Sequence, residues 1–219
     1  MKRPAQKTLP ALIFDLDGTL WNAVKPISEA WTEVGRAFFS PDYCLSEEDT
    51  QNLMGLTMDE IVNRLMIADL DEPTKRRFTE RCFSYEREYL VEHPGKLFPN
   101  EIETLLSLKR KGYRLFIVSN CQSGYIETFL PLCEPGLFEG HLCWSDTEQD
   151  KHVTIRALMD KFDLKEAIYI GDTQKDLNET RLAGIAFLHA AYGFGTADRP
   201  DGRAHDFAQL FSEIERLSC

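Results

Sequence analysis

The stretch Ala11-Leu12-Ile13-Phe14-Asp15-Leu16-Asp17-Gly18-Thr19-Leu20 constrains this chain more than any other. Four apolar residues run straight into two acids one residue apart, then a glycine and a hydroxyl. A short apolar run ending in a turn signal reads as a buried strand of a parallel sheet. Ligands of open α/β sheets sit outside the carboxyl ends of strands, which puts Asp15 and Asp17 at the mouth of a site. Two like charges so close are unfavourable unless a cation joins them. Gly18 lets the backbone turn sharply toward a ligand, and Thr19 offers a hydroxyl to an anionic oxygen. On spacing alone, a strand followed by an ordinary acidic turn explains the same residues.

The remainder of the chain alternates between two patterns. From Pro26 to about His93 it reads as helices, with Ile27, Ala30, Trp31, Val34, Ala37 and Phe38 at helical spacing. Ser46 resembles a helix start, and Thr57 with Glu60 resembles a capping box for a helix from Met58 to Ala68. A long charged helix from Pro73 to Glu92 is closed by His93-Pro94-Gly95. Beyond Leu97, helices are expected over Asn100 to Lys111, Ser123 to Leu130, Val153 to Phe162, Lys175 to Ala183 and Asp206 to Leu217. Strands are expected over Arg114 to Val118, His141 to Trp144, Ala167 to Ile170 and Ile185 to His189. Such alternation means a parallel, helix-flanked sheet, here interrupted after its first strand by a helical insertion that emerges beside Asp15.

Charge narrows the partners. A net charge of -11 argues against a nucleic-acid or anionic-membrane surface, yet a site holding a divalent cation can still take an anionic small molecule. No stretch approaches the roughly 20 apolar residues of a membrane span, and the polar run from Met1 to Pro10 has no signal-peptide character. The six cysteines are scattered without a Cys-x-x-Cys pair, so reduced thiols and a cytoplasmic location are expected. Cys121 has no recognisable base partner in the sequence.

Three further stretches place chemistry at expected strand ends. Ser119 and Asn120 carry a hydroxyl and an amide able to donate to a phosphate-like oxygen. Lys151, ahead of a helix, would favour an ionised Asp15 and neutralise an incoming anion. In Gly171-Asp172-Thr173-Gln174-Lys175-Asp176, Asp172 and Asp176 could complete an oxygen cage for Mg2+, with helix capping as the competing use of Asp172.

In this order the four stretches resemble the haloacid dehalogenase superfamily, whose motifs run Asp-x-Asp-x-Thr, a Ser or Thr after a strand, a Lys, and Gly-Asp-x-x-x-Asp. The resemblance covers essentially the whole chain and is strongest to the phosphoglycolate-phosphatase-like branch. It implies a Rossmann-like α/β core over residues 1–20 and 95–219 and a helical cap over residues 21–94. It implies Asp15 as the nucleophile that becomes an aspartyl phosphate, and Asp17 as the acid that protonates the leaving oxygen and then activates water. Thr19, Ser119 and Asn120 would orient the phosphoryl oxygens while Lys151 balances charge. Mg2+ would be held by the Asp15 carboxylate, the Asp17 carbonyl and Asp172, with Asp176 completing or supporting the shell. The expected partner is a small phosphorylated metabolite, acted on by a Mg2+-dependent phosphatase. A sugar phosphomutase and a non-catalytic phosphometabolite-binding protein are the alternatives. A carbon–halogen hydrolase has no use for Asp17, and a phosphonate hydrolase would need a cap lysine such as Lys25. Within the cap, Met54-Gly55-Leu56-Thr57 is the turn expected to face Asp15, Arg64 is a candidate anchor for a second anionic group, and Trp21 reads as packing.

Overall fold

The computed structural model describes residues 9–56, 60, 61, 64 and 70–218. Strand β1, Ala11–Phe14, is buried along its whole length. A second strand pair, β2 (Trp21–Asn22) and β3 (Lys96–Leu97), forms a small antiparallel ribbon. The other strands are β4 (Leu115–Ser119), β5 (Gly140–Cys143), β6 (Ala167–Gly171), β7 (Ala186–Ala190) and β8 (Gly202–Ala204). Together with β1 they make a six-stranded sheet in the order β5-β4-β1-β6-β7-β8, parallel throughout. The winding reverses at β1, which therefore has β4 on one side and β6 on the other. Ligand crevices of doubly wound sheets form at such reversals.

The strands' apolar runs are divided between two cores by the pleat, since successive side chains point to opposite faces. Leu12 and Phe14 join Leu115, Ile117, Ile168, Ile170 and Leu188 on one face, packed against Leu105, Leu108, Leu210 and Ile214 of helices. Ala11 and Ile13 join Phe116, Val118, Tyr169 and Phe187 on the other, packed against Ile155, Leu158 and Leu177. Each fully buried Leu, Ile or Phe contributes about 1.5–3 kcal/mol relative to exposure, so both layers of helices are held to β1 and its neighbours.

Between β2 and β3 lies the helical insertion. Helix α1, Val24–Phe38, packs along α3, Glu72–Glu92, through Trp31 on Phe83 at 6.0 Å and Phe38 on Phe78 at 5.4 Å. Short α2, Glu47–Gln51, starts at Ser46, whose hydroxyl accepts from the Asp49 amide. Asp71 caps α3 in the same way, accepting from the Thr74 amide. The helix expected from Met58 to Ala68, with its Thr57 cap, falls outside the described residues apart from Glu60, Ile61 and Arg64.

The remaining helices are α4 (Glu101–Arg110), α5 (Ile126–Phe129), α6 (Trp144–Thr147), α7 (Lys151–Lys161), α8 (Gln174–Ala183) and α9 (Phe207–Leu217). The helix expected from Ser123 to Leu130 shrinks to α5 and a 3₁₀ turn at Leu130–Leu132, where Pro131 offers no N–H to continue an α-helix. The strand expected to end at Trp144 stops at Cys143, because the Asp146 carboxylate accepts from the Cys143 N–H at 2.7 Å and starts α6 there. Helix α7 begins at Lys151 instead of Val153. Neither the ribbon nor β8 was expected; β8 is three residues at the sheet edge, too short to show alternation.

Candidate active site

The carboxyl ends of β4, β1 and β6 lie side by side, and polar side chains stand at each. Asp15 follows β1, Ser119 ends β4 with Asn120 beyond it, and Asp172 follows β6. Lys151 enters from the first turn of α7 and Asp176 from the first turn of α8. Lys151 Nζ donates to Asp15 Oδ1 at 3.1 Å and to Asp176 Oδ1 at 2.6 Å, with all three side chains buried.

Asp176 is fully engaged. Its Oδ2 accepts from the Thr173 N–H at 3.1 Å and the Thr173 hydroxyl at 2.6 Å, while Thr173 Oγ1 accepts from the Asp176 amide. Thr173 is thus the helix cap and Asp172 is not. That frees Asp172. Its Oδ2 accepts from the Phe194 and Gly195 amides at 2.7 and 3.3 Å, and its Oδ1 is buried with no hydrogen-bond partner. Behind it, His189 Nε2 lies 3.0 Å from the Asp172 carbonyl, which can only accept, so the proton sits on Nε2. The loop carrying these amides passes so close that a Cβ on Gly193 would lie 2.2 Å from the Gly18 carbonyl oxygen and 2.4 Å from Asp172 Cβ. Gly18, at φ +75°, faces Asp172 from the other side with no room for a side chain.

Asp17 is oriented separately. Trp21 Nε1 donates to its Oδ1 at 2.9 Å and the Tyr125 hydroxyl donates to the same oxygen at 2.8 Å. Two donors on one oxygen fix the carboxyl plane. Trp21 is buried packing as expected, and a donor as well. Tyr125 was missed by sequence reasoning; its only signal is a position shortly after the Ser119-Asn120 strand end.

Positive charge is scarce here. Burial raises Asp15 well above the usual carboxylate range despite Lys151. Burial lifts Asp17 to about 6 against the Tyr125 and Trp21 hydrogen bonds, and burial with the Asp176 charge lifts Asp172 to about 7. Burial also works against the Lys151 ammonium, but Asp15 and Asp176 outweigh it and hold its pKa high. Lys151 and Thr173 likewise outweigh burial at Asp176, which stays below the normal range. Oxygens of Asp15, Asp172 and Asp176 lie within 4.8 Å of one another. A hard divalent cation suits this donor set, because it would meet the orphaned Asp172 Oδ1 and relieve the carboxylates. Asp176, with both oxygens already accepting, would support that shell.

The other expected site residues are placed less uniformly. Ser119 is buried at the β4 end. Thr19 is fully buried and its Oγ1 has no partner. Asn120 Nδ2 donates to the Gly55 carbonyl at 2.9 Å, so the turn expected to face Asp15 is tied to the strand end beside it. Arg64 is exposed and donates to the Asn52 carbonyl at 3.3 Å. Lys25 is exposed, 3.9 Å from Glu29, and enters no cavity of the site. Cys121 lines the site, but burial holds its thiol far above the range of a nucleophilic thiolate.

Residues 12–190 match the family model described as haloacid dehalogenase-like hydrolase. The phosphoglycolate phosphatase of Haemophilus influenzae is 28% identical over 216 residues, 91% of this chain and 95% of that protein. That of Vibrio parahaemolyticus is 25% identical, spanning 95% of this chain and 97% of that one. Among solved structures, a predicted phosphoglycolate phosphatase from Haemophilus somnus superposes with a TM-score of 0.83 at 24% identity, over 95% of this chain and 99% of that chain. CbbY from Rhodobacter sphaeroides, in complex with phosphate, gives 0.80 at 18% identity, over 95% of this chain and all of that one (100%).

Proposed function

We propose, since this chain belongs to the haloacid dehalogenase-like hydrolase family, that it is a Mg2+-dependent phosphatase hydrolysing a small phosphate monoester of about the size of phosphoglycolate. One observation carries the reading: Asp15 is held by Lys151 while its neighbour Asp17 is held by a different pair, Trp21 and Tyr125. Two carboxyl groups in separate environments suit two roles, a nucleophile and an acid–base group.

An Asp15 oxygen attacks phosphorus, the bond from phosphorus to the ester oxygen breaks, and Asp17 gives that oxygen its proton. Asp17 then takes a proton from water, whose oxygen attacks the phosphorus and releases Asp15 and inorganic phosphate. Lys151 offsets the charge of Asp15 and of the phosphoryl group. Ser119, Asn120 and Thr19 are the proposed donors to the phosphoryl oxygens. The Asp15 carboxylate, the Asp17 carbonyl and Asp172 would hold Mg2+, with Asp176 in support, and the ion would supply positive charge against the phosphoryl oxygens. The helical insertion, residues 21–94, acts as a cap that excludes water and selects the leaving group.

The described cysteines are free, and among the described residues no helix is long and apolar enough to cross a membrane. A cytoplasmic location fits both. Phosphate release from a panel of small esters, with and without Mg2+, tests the reading. Metal-dependent release supports it; release from none by a folded, metal-loaded protein overturns it in favour of the mutase or the sensor.

A further inference from the structure

Two cavities meet at Asp17. One is shared with Asp172, Thr173 and the Phe194-Gly195 backbone, which makes it the phosphoryl side. The other lies between the helical insertion and the core. Its walls are Ile27, Trp31, Leu53, Leu56, Ile61 and Phe83, with Asp17 at one end. Beyond Asp17, its polar groups include Glu86, Gln122, Tyr125 and the Trp31 indole N–H. The Tyr125 hydroxyl is already committed to Asp17, and Gln122 Nε2 donates to Glu86 Oε1 at 3.0 Å.

No cation stands among the described residues of this pocket: none of those lining it is a lysine, arginine or histidine. From Ala37 to Asp71 the sequence carries one basic residue, Arg64, whose exposed guanidinium is directed at the Asn52 carbonyl. Lys175 is paired with Glu60 at 2.6 Å, and Arg87 packs its stem against Gly124, outside the lining. Glu86 is 3% exposed, and burial, then the Asp17 charge, raises its carboxyl to about 8. Burial thus favours its neutral form, which can donate to an oxygen, against the opposing charge of Arg87.

A carboxylate on the leaving group would enter this space without a counter-charge, between two acidic side chains. Burying an unpaired charge is among the costliest events in a protein interior. Resting on the phosphatase reading above, we infer that the leaving group is an uncharged, largely apolar alcohol with one hydrogen-bonding group for Glu86 and Gln122. Phosphoglycolate, the substrate named in the relatives, is then a poor substrate of this chain.

The test compares kcat/KM for 2-hydroxyethyl phosphate, 2-phosphoglycolate and phosphoethanolamine, three esters of similar size with neutral, anionic and cationic tails. The expected result is that the neutral ester exceeds each charged one by about tenfold or more. Leu56→Arg, which puts a cation in the wall, should narrow or invert the ratio of neutral to anionic ester. Since the wild-type ratios decide alone, a misfolded variant leaves the test intact. Phosphoglycolate turned over as well as the neutral ester, with that activity lost in Arg64→Ala, would overturn the inference and make Arg64 the anchor. A preference for phosphoethanolamine would overturn it too, since Glu86 would then act as an anion. Both outcomes keep the phosphatase reading; release from no ester removes the reading and the inference together.

Discussion

The Tyr125 hydroxyl donates at 2.8 Å to Asp17 Oδ1, a bond between residues 108 apart in the chain. It ties Asp17, the proposed acid–base group after β1, to the short helix after β4. Tyr125→Phe removes that bond and nothing else of comparable size. A hydrogen bond to a charged group contributes about 1.5–3 kcal/mol, so kcat should fall roughly tenfold or more while the fold persists. The same bond lowers the Asp17 pKa, so its loss raises it. In the proposed reaction Asp17 must hold its proton for the first half-reaction, so kcat/KM is expected to decline above its pKa. In the variant that decline should move to higher pH than in wild type. An unmoved limb would mean that Asp17 is not the proton donor.

The Lys151 ammonium lies between Asp15 and Asp176, all three nearly inaccessible to water. Lys151→Met leaves two buried carboxylates without their partner, a change that costs roughly 3–5 kcal/mol. Urea unfolding in EDTA should show this loss, together with near-complete loss of phosphate release. A stability within about 1 kcal/mol of wild type would contradict the buried pairing.

The unpartnered Asp172 Oδ1 gives a metal test that does not depend on turnover. Mg2+ at about one hundred times its Kd should stabilise the wild type by about 2.7 kcal/mol in thermal unfolding. Asp172→Asn keeps the side-chain shape, removes the charge and should abolish most of that shift. An equal shift in both proteins would place the ion elsewhere.

Much of this site is written locally. The pairs Asp15/Asp17 and Asp172/Asp176 were legible because each follows an apolar strand directly, and strand order then fixes where they meet. Lys151 was legible only as one member of an ordered series. Thr173 as the cap, and hence the division of labour between Asp172 and Asp176, was not, because either acid at a helix start could have capped it. Trp21 and Tyr125 were hidden for a different reason: aromatic residues read as core, and both are indeed buried, so only geometry reveals what their polar ends touch. The strand Gly202–Ala204 was invisible since its pairing with β7 is an edge contact of three residues.

Glu101 supplies a pH test away from the chemistry. It is 1% exposed; its Oε2 accepts from the Phe98 amide and its Oε1 has no partner. Burial raises it to about 8 from an ordinary 4.5. Between those values the native state keeps a proton that the unfolded chain gives up, so stability falls as pH rises through this window and levels off above it. Glu101→Gln should therefore stabilise the protein by about 1–3 kcal/mol near pH 8.5 and by little near pH 4.5. The same gain at both values in urea unfolding would contradict an uncharged Glu101 in the native state.

In the proposed reaction Asp15 carries the phosphoryl group. The direct measurement is to mix the protein with a turned-over ester and Mg2+, quench in acid, and locate the added phosphoryl mass by peptide mass spectrometry. The added mass is expected on the peptide containing Asp15, and Asp15→Asn is expected to show neither the adduct nor phosphate release. Phosphate release by the Asn variant at the wild-type rate, or a phosphoryl group on another residue, would contradict it.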